Sequence, residues 1–246
     1  MQAAILPPVL DFDVLDSVYT PIGLIYLSRR ELQNRPGEHV FEVFIEAELL
    51  MSSLGPVSER ALATSALALH ERKTQGEGLR VLVGGLGLGY TAHAALGSPD
   101  VSLVRVVDKM DFVIGWMRKG LLPLSEQLNA DPRLELVKGD VYADLLGPAS
   151  EQWDLILVDV DHAPDSPLDA ASEVFYTLDG QKQVAKHLAP GGVLAVWSAA
   201  DNDRFAAVLA TTHPEASREH VRWVNEQEGE EHGPIENVLF FARGSD

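Results

Sequence analysis

From Leu79 to Arg243, short apolar runs alternate with segments whose apolar residues recur at helical spacing. "LRVLVGG", "VSLVRVVD", "RLELVKGD", "WDLILVDV" and "GVLAVWS" are rich in Val, Leu and Ile, the pattern of strands buried on both faces. "YTAHAAL", "MDFVIGWMRKGLLPL", "ASEVFYTLDGQKQVAKHL" and "NDRFAAVLATT" supply helices between or after them, and "REHVRWV" and "ENVLFFAR" are two further strands that close the sheet. The alternation predicts an α/β fold with a doubly wound, mostly parallel, seven-stranded sheet. A ligand of such a sheet sits at the carboxyl ends of the strands, where strand order reverses.

The N-terminal part has another pattern. "PIGLIYLSRRE" (21–31) and "HVFEVFIEAELLMSS" (39–53) are rich in β-branched and aromatic residues and flank "NRPGE", a turn built on Pro36 and Gly37. They predict an antiparallel hairpin. "SERALATSALALHERK" then reads as a helix, with Ser58 as its cap and Pro56 just before it. The expected division is an N-terminal β-hairpin region, 1–55, and a sheet domain, 56–246.

Composition narrows what the fold serves. The 246 residues are 46% hydrophobic, enough for a buried core, and include no cysteine, so disulfides and thiolate metal sites are excluded. The start, "MQAAILPPVLDFDVLD", has early prolines and acids and no basic flank, and no apolar run nears the roughly 20 residues of a membrane span; a cytoplasmic protein without membrane partners is expected. Nineteen Lys+Arg against 37 Asp+Glu give a formal net charge of -18, which repels nucleic acid and favours cationic partners. The acidic "NEQEGEEHGPIE" (225–236) reads as a solvated loop.

The chemistry begins at "VLVGGLGLGYTA" (81–92), where glycines crowd the exit of the first parallel strand. Gly85, Gly87 and Gly89 permit positive φ and let a ligand touch the main chain at a helix start. "GLGYTA" satisfies G-x-G-x-x-A, and Asp108 ends the next strand about 20 residues on, as a ribose-binding acid does. The glycines alone leave a dinucleotide and an adenosyl-sulfonium compound both open. Further acids end the later strands: Asp140 in "KGD", then Asp159 and Asp161 in "VDVD".

Taken together, "GLGLGYT" (85–91), Asp108, Asp131-Pro132-Arg133, Gly139-Asp140, "VDVDHAP" (158–164), Phe175-Tyr176 and "LAPGG" (188–192) resemble the spermidine synthase-like aminopropyltransferases, within the class I S-adenosylmethionine-dependent methyltransferase fold, a Rossmann-like sheet. The resemblance covers nearly the whole chain and includes the β-rich N-terminal segment. It implies a donor site made by Gly85, Gly87, Leu88, Gly89, Asp108, Lys109, Asp140, Val141 and Asp159. In that site Asp108 holds the ribose hydroxyls and Asp140 the adenine amino group, beside Val141. It also implies that Asp159 and Asp161 face the acceptor, and that the N-terminal strands form a homodimer interface.

Transfer from a sulfonium is a direct displacement that needs an aligned, deprotonated nucleophile. Asp159 is the candidate base, with Asp161 two residues on to raise its pKa or hold a second ammonium. His162, with Asp161, Asp165 and Asp169 nearby, matches no defined metal-ligand spacing, and no metal is expected. The chain departs from the family pattern at three places: Leu88 stands where the family has an aspartate, Trp197 where it has a glutamine, and "SERALATSALAL" keeps Glu59 but not the tyrosine, histidine and glutamine found there. The expected function is aminopropyl transfer from decarboxylated S-adenosylmethionine to a polyamine or other amine. The alternatives are a methyltransferase using intact S-adenosylmethionine, which carries its own carboxylate and makes Leu88 harmless, and a non-catalytic binding protein that keeps the fold.

Overall fold

Val81, Leu82 and Val83 are buried because β5 (Leu79–Gly84) lies in the middle of a sheet, with β6 (Val101–Asp108) on one side and β8 (Trp153–Val158) on the other, both parallel to it. The computed structural model describes residues 12–32, 35–70, 78–166, 170–213, 215–224 and 234–244. Pro167, Asp169 and most of the acidic 225–236 segment lie outside the described residues. The chain divides into two compact units, Met1–Leu54 and Gly55–Asp246.

The first unit is a four-stranded antiparallel sheet: β1 (Phe12–Thr20), β2 (Gly23–Leu32), β3 (Arg35–Ile45) and β4 (Glu48–Ser52), paired in that order. It is larger than the expected hairpin. The stretch expected to be one strand over 39–53 is broken at Glu46, whose φ of +53° turns the chain into β4. Glu46 stabilises this corner by accepting the amide of Leu24 on Oε1 at 2.7 Å, while its own amide donates to the Leu24 carbonyl. Tyr26 stacks on its cross-strand partner Phe44 at 5.2 Å; Ile25, Leu27 and Val43 are buried on one face of the sheet and Val40 on the other.

The second unit holds the seven-stranded sheet, in the order β10-β11-β9-β8-β5-β6-β7. β7 (Leu134–Lys138) and β9 (Leu188–Ser198) extend the parallel part; β11 (Ile235–Arg243) runs antiparallel to β9, and β10 (Glu215–Trp223) antiparallel to β11. Order reverses between β5 and β8, so their carboxyl ends flank the crevice that such sheets use for ligands. On one face a chain of aromatic rings, Tyr142, Phe175, Phe205 and Phe240, packs on Ile156, Leu194 and Val196. No helix among the described residues is long and apolar enough to cross a membrane.

The helices are shorter than their sequence patterns. α3 (Asp111–Arg118) stops before Gly120, whose φ is +80°, and α4 (Ser125–Ala130) starts afresh. The expected helix over 171–188 is split into α6 (Ala170–Phe175), α7 (Leu178–Val184) and a single 3-10 turn. Thr177 makes that break by accepting the amide of Gly180 on Oγ1 at 3.1 Å as the cap of α7. α8 (Asp203–Thr212) begins at Asn202, whose Oδ1 accepts the amide of Phe205. α1 (Val57–Leu69) begins two residues earlier than expected, so Ser58 is not its cap; the position before the helix is Pro56, and the Ser58 hydroxyl is used elsewhere.

Candidate active site

The glycine loop joins β5 to α2 (Tyr90–Leu96), and two of its glycines are required by the protein's own chain. Gly85 has φ +89°, and a β-carbon on it would lie 2.2 Å from the main-chain oxygen of Asp159. Gly89, at φ +93°, starts α2; a β-carbon there would meet Leu128 at 2.6 Å and Met117 at 3.0 Å. The loop is thus fastened on both sides. The Asp159 amide donates to the Gly84 carbonyl and the Gly85 amide to the Val107 carbonyl, each at 2.9 Å. Leu88 is buried within this loop, and Val141, also buried, packs against Gly84.

Asp108 is buried at the end of β6 and faces the loop. Oδ2 accepts the amide of Leu86 and Oδ1 that of Met110, both at 2.7 Å. Burial raises its pKa, against the lowering effect of amides from Leu86, Met110 and Gly87. Asp140 is the cap of α5 (Val141–Leu146): Oδ1 accepts the amides of Tyr142 and Ala143, and Oδ2 pairs with Lys109 at 3.1 Å. The sheet therefore brings Asp108, Lys109, Asp140 and Val141 together along the carboxyl ends of β6 and β7, next to the glycine loop.

Asp159 leaves the end of β8 on the other side of that loop, partly buried, and accepts the hydroxyl of Thr91 on Oδ2 at 2.9 Å. Its pKa is pushed up to about 7, first by burial and then by the negative charge of Glu59 on α1; the Thr91 hydrogen bond works against the rise. Glu59 is itself shifted upward, chiefly by burial. Thr91 Oγ1 also lies 3.3 Å from the Glu59 carbonyl. The Glu59 carboxylate accepts the Ser58 hydroxyl on Oε2 at 2.9 Å, and Ser58 Oγ in turn accepts Trp197 Nε1–H from β9 at 3.0 Å.

Asp161 is placed differently from the sequence expectation. The strand ends at Val158, so the alternation of side chains along a strand does not carry Asp161 to the side of Asp159. It is 2% exposed and accepts the Tyr142 hydroxyl at 2.7 Å, with Tyr176 Oη 3.4 Å from that of Tyr142. Burial raises the pKa of both phenols, and the Asp161 charge adds to it. The group that raises Asp159 is Glu59, which sequence reasoning saw only as a remnant of the family pattern. Thr91, Tyr142 and Tyr176 were not foreseen as neighbours of these acids; a motif read along the chain does not register partners brought in by α2, α5 and the link after α6. Among the described residues no three His, Asp or Glu side chains gather as metal ligands, and His162 is exposed.

A cavity of about 520 Å³ lies elsewhere, beside the last turn of α5 on the face of β6 and β7. Arg105 in its wall pairs with both Glu135 and Glu151, and Asp144 also lines it. It has no glycine loop, and the chemistry points to the carboxyl ends instead.

No family profile matches the chain. Two solved structures share its architecture: spermidine synthase from Thermotoga maritima, with a TM-score of 0.67, and a spermidine synthase in complex with the transition-state analogue AdoDATO, with a TM-score of 0.68. Each is 18% identical, over 95% of this chain and 74% of the other. The chain has the spermidine synthase fold. Among curated relatives, this chain is 34% identical to putrescine N-methyltransferase 2 of Nicotiana attenuata over 115 residues, 47% of this chain and 29% of that one. It is 33% identical to the polyamine aminopropyltransferase of Nitrosomonas europaea over 123 residues, 50% of this chain and 36% of the relative. The matches span about a third of the length of these curated relatives.

Proposed function

We propose that this protein is a transferase that moves an aminopropyl group from decarboxylated S-adenosylmethionine to a polyamine or related amine. The observation that carries the reading is the carboxyl of Asp159. It sits at the strand end beside the glycine loop, half in the protein, with a pKa near 7 and a second acid, Glu59, behind it. Such a pair attracts an ammonium, and a base with that proton affinity is matched to taking a proton near neutral pH.

In this reading the donor's adenosyl group lies along the glycine loop. Asp108, whose carboxylate keeps one lone-pair site beyond the three amides it accepts, receives a ribose hydroxyl, and Asp140 receives the adenine amine. The acceptor enters as an ammonium and gives one proton to Asp159. The freed nitrogen lone pair then attacks the donor carbon, the N–C bond forms, and the C–S bond breaks with its electron pair left on sulfur as a neutral thioether. Alignment is the main contribution of the protein, and proton removal the second.

One observation favours a second reading, methyl transfer from intact S-adenosylmethionine. Leu88 is buried in the loop where the aminopropyltransferase pattern has an aspartate, so a donor with a lone ammonium lacks a counter-charge there. The likeness to putrescine N-methyltransferase supports the same reading. A homodimer built through the N-terminal strands and a cytoplasmic setting belong to the proposal and rest on the sequence and the family resemblance.

Isothermal titration with the two donors, followed by an assay of transfer to putrescine, tests both. Tighter binding of the decarboxylated donor with formation of spermidine is expected; tighter binding of the intact donor with methylated product replaces the first reading by the second. Binding of neither removes both. Asp159→Asn is expected to lower turnover by about 100-fold or more while donor affinity stays within about twofold.

A further inference from the structure

The hydrogen bonds behind Glu59 have a fixed direction. An indole N–H can only donate, so Ser58 Oγ must accept from Trp197 and has its single proton left for Glu59 Oε2. The distances, 3.0 and 2.9 Å, are those of well-formed bonds, and Ser58 is 2% exposed, so water does not compete for the hydroxyl. On the other side Thr91 donates to Asp159 and lies against the Glu59 carbonyl, which ties the two acids to one frame of α1, α2, β8 and β9.

Resting on the transferase reading above, we propose that Trp197 is a positioning residue: through Ser58 it holds Glu59 as a carboxylate whose charge acts on Asp159, so that the two acids together draw and seat the acceptor amine. The relayed hydrogen bond favours Glu59 as a carboxylate, because it comes from a group that cannot reverse it. Asp159 therefore keeps a high proton affinity, and Glu59 supplies the charge that keeps it high. The acceptor ammonium gives its proton to Asp159, its nitrogen bonds to the donor carbon, sulfur leaves with the bonding pair, and Asp159 passes its proton to solvent.

The other groups around the pair leave this assignment intact. Arg60, next on α1, favours ionised Glu59 and sits over the Tyr90 ring at 5.0 Å. α2 brings Thr91, and His93, whose proton affinity is lowered by burial and by Arg60. β9 brings Trp197, which does not titrate. Asp161 is engaged by Tyr142 on the other side of the β8 end.

The test is a carbon-detected NMR titration of the side-chain carboxyls in the whole chain, with the pH profile of kcat/KM measured beside it. Glu59→Gln is expected to lower the Asp159 titration by about one pH unit and to move the acid limb of the profile down with it. Trp197→Phe, which keeps an aromatic ring and loses the donor, is expected to raise the Glu59 titration by about half a pH unit or more with donor affinity unchanged. Ser58→Ala should act in the same direction, and serves if the phenylalanine variant does not fold. An Asp159 titration that ignores Glu59→Gln overturns the coupling; a Glu59 titration that ignores both Trp197→Phe and Ser58→Ala overturns the relay. If the titrations move as expected while the wild type transfers neither group to any amine, the transferase reading fails and the coupled acids stand.

Discussion

Asp159 and Gly85 meet where a side chain's chemistry depends on another residue having none. Because Gly85 lies under the Asp159 carbonyl at positive φ, Gly85→Ala is expected to destabilise the fold by about 3 kcal/mol or more, measured as a loss of unfolding free energy in urea. The shift of Asp159 makes a signed prediction of its own. Its pKa rises from 3.8 in a free side chain to about 7 in the folded chain, so the native state holds that proton more tightly. Stability from this group is complete below about pH 4, falls as pH climbs toward 7, and is level above it. Asp159→Asn, which still accepts from Thr91, is therefore expected to stabilise the protein by about 2–4 kcal/mol at pH 8 and by little at pH 4. Thermal unfolding of both proteins at the two pH values checks this. Of these residues, the glycines and the acids were legible as a spaced pattern; that Gly85 serves the Asp159 backbone was not, because the two are far apart along the chain and meet only through the pairing of β5 with β8.

At the scale of elements, α5 separates two uses of one acid. Asp140 caps the helix with Oδ1 and is the proposed partner of the donor's adenine. Asp140→Ser retains a good cap and should cost less than about 0.5 kcal/mol, whereas Asp140→Ala should cost about 1 kcal/mol. Both are expected to weaken donor binding by about tenfold, and calorimetry on the three proteins separates capping from recognition. The parallel strands and their order-reversal point could be read from apolar runs because strands buried on both faces leave few alternatives. β1 was missed: it carries Asp13 and Asp16 at an edge where charge suits a strand exposed to water. The breaks at Glu46 and Thr177 were missed as well, since each depends on a side chain answering a backbone amide that periodicity does not register.

For the whole molecule the excess of acids matters most through salt. With a formal net charge of -18, self-repulsion strains the folded state and draws cations toward it. Raising sodium chloride from about 20 to about 300 mM is expected to raise the thermal midpoint by several degrees and to raise the apparent KM for a polyamine several-fold, while a neutral competitor of the donor binds unchanged. A KM insensitive to salt would assign acceptor capture to the local pair alone.

Fastening the end of β8 to the glycine loop has a mechanical consequence. In the proposed reaction the seat of the nucleophile and the bed of the leaving group would be parts of one joint, so a linear approach of three atoms would need no hinge to bring it about. Cargo then has to come and go past the rim, and a stiffened rim would throttle product escape while the joint itself kept its shape.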